Sequence, residues 1–178
     1  MNADNSHSPI HRYFAGLAEN TFHSELGVVD PPLIDYLSDL LVRFTRSDVV
    51  HRMRSITGRP LMTVTEMAAE ASARLGDAKR ELYQHIGDFT LFWAGVYPEA
   101  LRQEDPTDGQ FSNYMTQGKR SYYLASEIKP CDDEAAHGEL LERLSERFEL
   151  CAYGLREVRR EWENGGDEEF GPGSILLN

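Results

Sequence analysis

The chain has 178 residues, the size of an ordinary single domain, and 40% of them are hydrophobic, enough to form one buried core. Acidic residues outnumber basic ones 30 to 18, and the formal charge of −12 repels phosphate backbones and anionic membranes. These values argue for a folded protein whose partner is neither nucleic acid nor a membrane.

Residues 1–10 have neither the positive n-region nor the apolar h-region of a signal peptide, so the chain reads as starting at Met1 in its working form. Cys131 and Cys151 show no C-x-x-C spacing, and a core of this size needs no disulfide, which points to a reducing cytoplasm.

Apolar residues recur at intervals of three and four along the chain, without sustained alternation, so the expected fold is all-α. A first helix starts at Ser8 and Pro9, buries Ile10, Phe14, Leu17 and Ala18, and stops near Leu26, where Gly27 serves as the C′ residue. Asp30-Pro31 repeats the start signal for a second helix with a Leu33, Leu37, Leu40, Leu41 and Phe44 stripe. Ser47 or Asp48 then caps a short third helix through Ile56, which Thr57-Gly58 ends. Thr63 and Glu66 form a capping box for the next helix. Gly76-Asp77 interrupts it, with either a kink or a full break.

The helix over about 78–97 has little polar surface in its second half and should be central; Pro98 ends it. Residues 103–110 read as a loop, and Ser112 caps a further helix that buries Met115, Tyr122, Ala125 and Ile128 until Pro130. In that helix Gly118 permits close approach of a neighbour. The last helix runs from Asp132 or Asp133 to Asn164. Its seam of Leu141, Leu144, Phe148, Cys151, Leu155, Val158 and Trp162 alternates steps of three and four. The whole is an antiparallel helical bundle of six or seven helices in one domain spanning 1–178, with 1–7 and 165–178 loosely ordered.

Two groups of residues carry chemistry. Asp77, Glu81, His85 and Asp88 fall along one helical stripe, and Glu134 and His137 share a face at i, i+3. Glu81, His85, Glu134 and His137 would form a divalent transition-metal site if their helices lie side by side. In the plainer reading Asp77 is a cap, Glu81 and Asp88 lie on a solvated edge, His85 is a boundary residue, and Glu134 answers the helix N-terminus.

The second group is electrical. Arg43, Arg46, Arg52, Arg54 and Arg59 stand against Asp48 alone, whereas residues 130–178 carry thirteen acids and five bases. Arg43, Arg46, Arg52 and Arg54, with Lys119-Arg120 brought near by folding, would take an anion; otherwise the basic and acidic segments pair with each other. Cys131, just before the last helix, would have a lowered pKa if its sulfur met the helix amide dipoles; the plainer reading makes it inert, as Cys151 is in its seam position.

No G-x-S-x-G, H-E-x-x-H, P-loop or dinucleotide fingerprint occurs. The expected role is therefore non-enzymatic: binding another protein or a second copy of itself, a homodimer included, without a cofactor. The alternative is the metal- or ligand-binding bundle.

Overall fold

Ser8 caps the first helix, its Oγ accepting from the His11 amide at 3.2 Å, and Pro9 follows at the first helical position. The structure, a computed structural model, describes residues 8–45, 53–131 and 138–165. Among these, α1 (Pro9–Ala18) passes into a π-helical segment, Glu19–Glu25, before Gly27 turns the chain at a φ of +67°. The wider turn places Phe22 against Gly154, where an added Cβ would stand 2.2 Å from the ring.

Asp30 caps α2 (Pro31–Phe44), and every residue of its expected stripe is buried. His11 reaches Asp39 at 2.6 Å, while Ala15 and Glu19 face Ile34 and Asp35, so α1 and α2 form an antiparallel hairpin.

The expected third helix is not seen where it can be checked. Residues 46–52 lie outside the described residues, and 53–62 form a tight hairpin with a bridge between Arg54 and Pro60. Ser55 and Arg59 close it through a 2.8 Å backbone bond, and Gly58 supplies the φ of +82° that such a turn needs. Pro60 and the extended residues around it hold the segment out of the helical region.

The capping box is present: Thr63 Oγ1 accepts from the Glu66 amide at 3.1 Å, and Glu66 Oε2 accepts from the Thr63 amide at 3.2 Å. It starts α3 (Val64–Ala73). Arg74 and Leu75 are extended, so Gly76 marks a full break before α4 (Gly76–Val96).

Pro98 ends α4 as expected and also begins α5 (Pro98–Glu104), because proline suits a first helical position as well as it stops a helix. Residues 105–108 are the remaining loop. α6 (Gly109–Ser126) starts before Ser112 because the Asp105 carboxylate accepts from the Gln110 amide at 3.1 Å and secures the earlier turn.

The last helix is divided at Arg147 into α7 (Gly138–Glu146) and α8 (Phe148–Asn164), and its proposed start at Asp132 or Asp133 lies outside the described residues. The seam continues through the break, and all seven of its residues are buried. On either side of Arg147 the chain is fastened to one turn of α6: Ser145 Oγ donates to the Lys119 carbonyl, and the Phe148 ring lies over Gly118.

Eight α-helices thus lie among the described residues, where six or seven were expected. α4 is the central one, packed against α2, α3, α5, α6 and α8. α6 runs opposite to it, since Thr90 meets Gly118 and Arg80 reaches Ile128. α8 runs in the same sense as α4, with Gly95 against Ala152 and Leu155 and Val96 next to Arg159, so the helices are not uniformly antiparallel.

Candidate functional site

Arg80, Gln84 and Asp88 stand four apart on α4 and share one stripe, which faces Tyr36 and Arg43 of α2 and Tyr122 of α6. Asp88 is 1% exposed. Its Oδ1 accepts from the Tyr36 hydroxyl at 2.6 Å and from the Tyr122 hydroxyl at 2.7 Å, and its Oδ2 accepts from Arg43 Nη1 at 2.9 Å. Gln84 Nε2 donates to the Tyr36 oxygen at 3.0 Å, and Arg80 Nε donates to the Ile128 carbonyl at 3.0 Å. Tyr122 reaches Asp88 because Gly87, one residue earlier, leaves room for its ring: an added Cβ would stand 2.6 Å from it.

A buried carboxylate is costly unless it is paired and bonded, and Asp88 has three donors, one of them a cation. Burial and the Asp88 charge push the Tyr36 and Tyr122 hydroxyls well above the usual tyrosine range, so both remain donors. Burial alone would lower the Arg43 guanidinium, but the charge and hydrogen bond of Asp88 outweigh it and hold it above its ordinary value. Arg80 moves down because burial outweighs the charges of Asp77 and Glu81. The Asp88 oxygens are thus occupied within the protein, and the network joins α2, α4 and α6.

These positions change the sequence reading. Asp88 is not on a solvated edge but at the centre of the network. Glu81 is exposed, whereas His85 is 7% exposed and stacks on Phe44 with ring centroids 6.1 Å apart. Glu134 and His137 lie outside the described residues, and among the described residues no group of three or more possible metal ligands converges.

Of the four arginines read as an anion site, Arg43 is committed to Asp88, Arg54 donates to the Gly58 carbonyl at 3.2 Å, and Arg46 and Arg52 lie outside the described residues. Lys119 pairs with Glu149 at 2.9 Å, and Arg120 makes no ion pair among the described residues. Ion pairing among the described residues is local in some places, as in Arg59–Glu66 and Arg74–Glu70, and joins distant segments in others, as in Arg143–Asp30 and Arg159–Glu99. No pair among the described residues joins 53–62 to 138–165.

The cysteines follow the plainer reading, and the conditional lowering at Cys131 is not met. Cys151 is buried, and burial pushes its thiol up to about 12. Cys131 is exposed, but its thiol moves up, not down, because the Asp77 side chain bonds to it and places a negative charge beside it.

A second region contrasts with the network. Residues 53–62 contain Arg54 and Arg59 and no acidic residue. Ile56 is 76% exposed and Met62 57%, and Leu75 at the adjoining end of α3 is 84% exposed. The hairpin is held from behind: Glu70 Oε1 accepts from the Ile56 amide at 2.8 Å, and Arg74 Nη2 bonds both Glu70 and the Arg54 carbonyl. Leu61 N donates to Met53 O at 3.0 Å and sets the register of the arms.

Two surface clefts lie away from the network and the hairpin. One, about 350 Å³, lies between α6 and the α7–α8 break, with Lys119, Arg120, Tyr123 and Glu149 in its walls. The other, about 240 Å³, lies between α1 with its π segment and the start of α2.

Sequence reasoning missed the network because its members lie far apart in the chain. The spacing of Arg80, Gln84 and Asp88 was a signal on α4 itself, but nothing local identified Tyr36, Arg43 or Tyr122 as partners. Compared with known protein families, curated proteins and solved structures, the chain matches none.

Proposed function

We propose that this protein acts by binding protein surfaces, and that the hairpin 53–62 together with Leu75 forms the contact face. The observation that carries this reading is the hairpin's combination of preformed backbone and exposed apolar side chains. Single exposed apolar residues are ordinary on any protein. Here Ile56 and Leu75 flank the Glu70–Arg74 pair, and the backbone that presents Ile56 is fixed by that pair. A surface ordered in advance loses less conformational entropy on association. No helix among the described residues is long and apolar enough to cross a membrane.

A photoreactive amino acid placed at position 56 tests the reading, with exposed Glu127 replaced in parallel as the control. Irradiation in cells is expected to give protein adducts from position 56, identified by mass spectrometry, and few from position 127. Equal labelling from both positions, or none from 56, would overturn it.

A further inference from the structure

We infer that the hairpin docks on a second copy of this chain, in the cleft between α1 and α2. The inference rests on the reading of the hairpin as a contact face and adds the identity of the occupant.

The cleft and the hairpin are complementary in two independent respects. Val29, 81% exposed, stands at the cleft with Ala15 and the buried Ile34, giving it an apolar lining with room for a branched aliphatic side chain. Ile56 at the hairpin tip is such a side chain. Glu19 and Asp35 in the cleft wall make no ion pair among the described residues, whereas Asp30 beside them is already held by Arg143 at 2.9 Å. On the hairpin, Arg54 has no carboxylate partner among the described residues, and Arg59 is 67% exposed with only a 3.4 Å contact to Glu66.

An apolar tip flanked by two arginines thus matches an apolar hollow whose wall holds His23 and two carboxylates, Glu19 and Asp35, without an ion pair among the described residues. Opposed charge at the margin of such a contact selects the partner and its register more than it adds affinity. Both halves belong to one sequence, so the partner that satisfies them is another copy. Reciprocal insertion of two hairpins would close the assembly at a dimer, and one-way insertion would propagate.

Sedimentation velocity of the full chain, from micromolar to sub-millimolar concentration, is the test. The weight-average mass is expected to rise with concentration. Arg59→Glu on the hairpin and Asp35→Arg on the cleft each alter an exposed side chain, and circular-dichroism melting confirms that both variants stay folded. Each alone is expected to weaken association at least tenfold. Mixing the two variants restores it, because the unaltered hairpin of one meets the unaltered cleft of the other. A chain that stays monomeric throughout would overturn the inference, as would association indifferent to both substitutions or a mixture no stronger than its components. Position-56 adducts to a different protein from a chain that stays monomeric would leave the contact face standing and remove the second copy as its occupant.

Discussion

The α2–α4–α6 network and the 53–62 hairpin use the same residue types to opposite ends. In the network, arginine and carboxylate face inward, and Asp88 takes three donors at 1% exposure. At the hairpin, arginine and carboxylate form a frame behind the chain, and the apolar residues face outward. Polar groups in the first region specify how three helices meet. In the second they fix a shape while leaving its surface free to be covered. Under the proposed reading, the working surface is marked by the direction in which apolar side chains point and not by where charge is buried.

The contrast is most open to challenge at Asp88. Asp88→Ala leaves two buried hydroxyls without their acceptor and Arg43 without its counter-charge. The Arg43 side chain is 40% exposed and regains water, so the low end of the cost for breaking a buried pair applies, about 3 kcal/mol. Urea denaturation would read this as a fall in midpoint with little change in slope.

Gly118→Ala comes next. Its Cβ would stand 2.3 Å from both Phe148 and Thr90, and the overpacking is expected to cost about 2 kcal/mol even after the gain in helix propensity. A variant as stable as the parent would show that α6 and the α7–α8 junction are less closely apposed than described.

Removing one hydroxyl is milder, and Tyr122→Phe should lose about 1.5 kcal/mol, the low end for a hydrogen bond to a charged group, because Asp88 keeps its other donors. The same hydroxyls set an alkaline limit. Burial and the charge of Asp88 raise Tyr36 and Tyr122 in the folded state, so the unfolded chain releases these protons first. Their contribution is complete below the ordinary tyrosine value of about 10 and is lost as pH rises above it. Thermal melting over about pH 8–11 should show that decline, and the double substitution Tyr36→Phe with Tyr122→Phe should flatten it. An unchanged slope would remove both hydroxyls as its source.

The smallest effect belongs to the hairpin. Ile56→Ser should shift folding stability by no more than about 0.5 kcal/mol, because the side chain is already in water. A larger loss would mean that Ile56 packs within the monomer, and the distinction between the two regions would disappear.

The parts of this architecture visible in the sequence are those governed by neighbours in the chain. Caps at Ser8, Asp30 and Thr63, the stop at Gly27 and the buried seam from Leu141 to Trp162 all follow from local chemistry. The break at Arg147 was hidden because the apolar phase runs through it undisturbed. The hairpin was misread because Met53 and Ile56 fit a helical stripe as readily as they fit two strand arms, and only the register set by Leu61 and Met53 decides between them. Asp88 was assigned to the wrong stripe for a similar reason. It lies within reach of both the Asp77–Glu81–His85 row and the Arg80–Gln84 row, and only distant Tyr36, Arg43 and Tyr122 decide which one is buried.

The glycines that receive large side chains bear on how this molecule can move. Gly87 holds the Tyr122 ring, Gly118 the Phe148 ring, Gly154 the Phe22 ring, and Gly95 the backbone and Cβ of α8. Each is a notch on one segment occupied by a projection from another, and together they link α4, α6, α8 and the π segment. For one helix to slip past its neighbour by a turn, a ring would have to climb out of its notch and over an ordinary side chain. A slip by a whole turn, one of the ways packed elements exchange arrangements, therefore requires these helices to separate first.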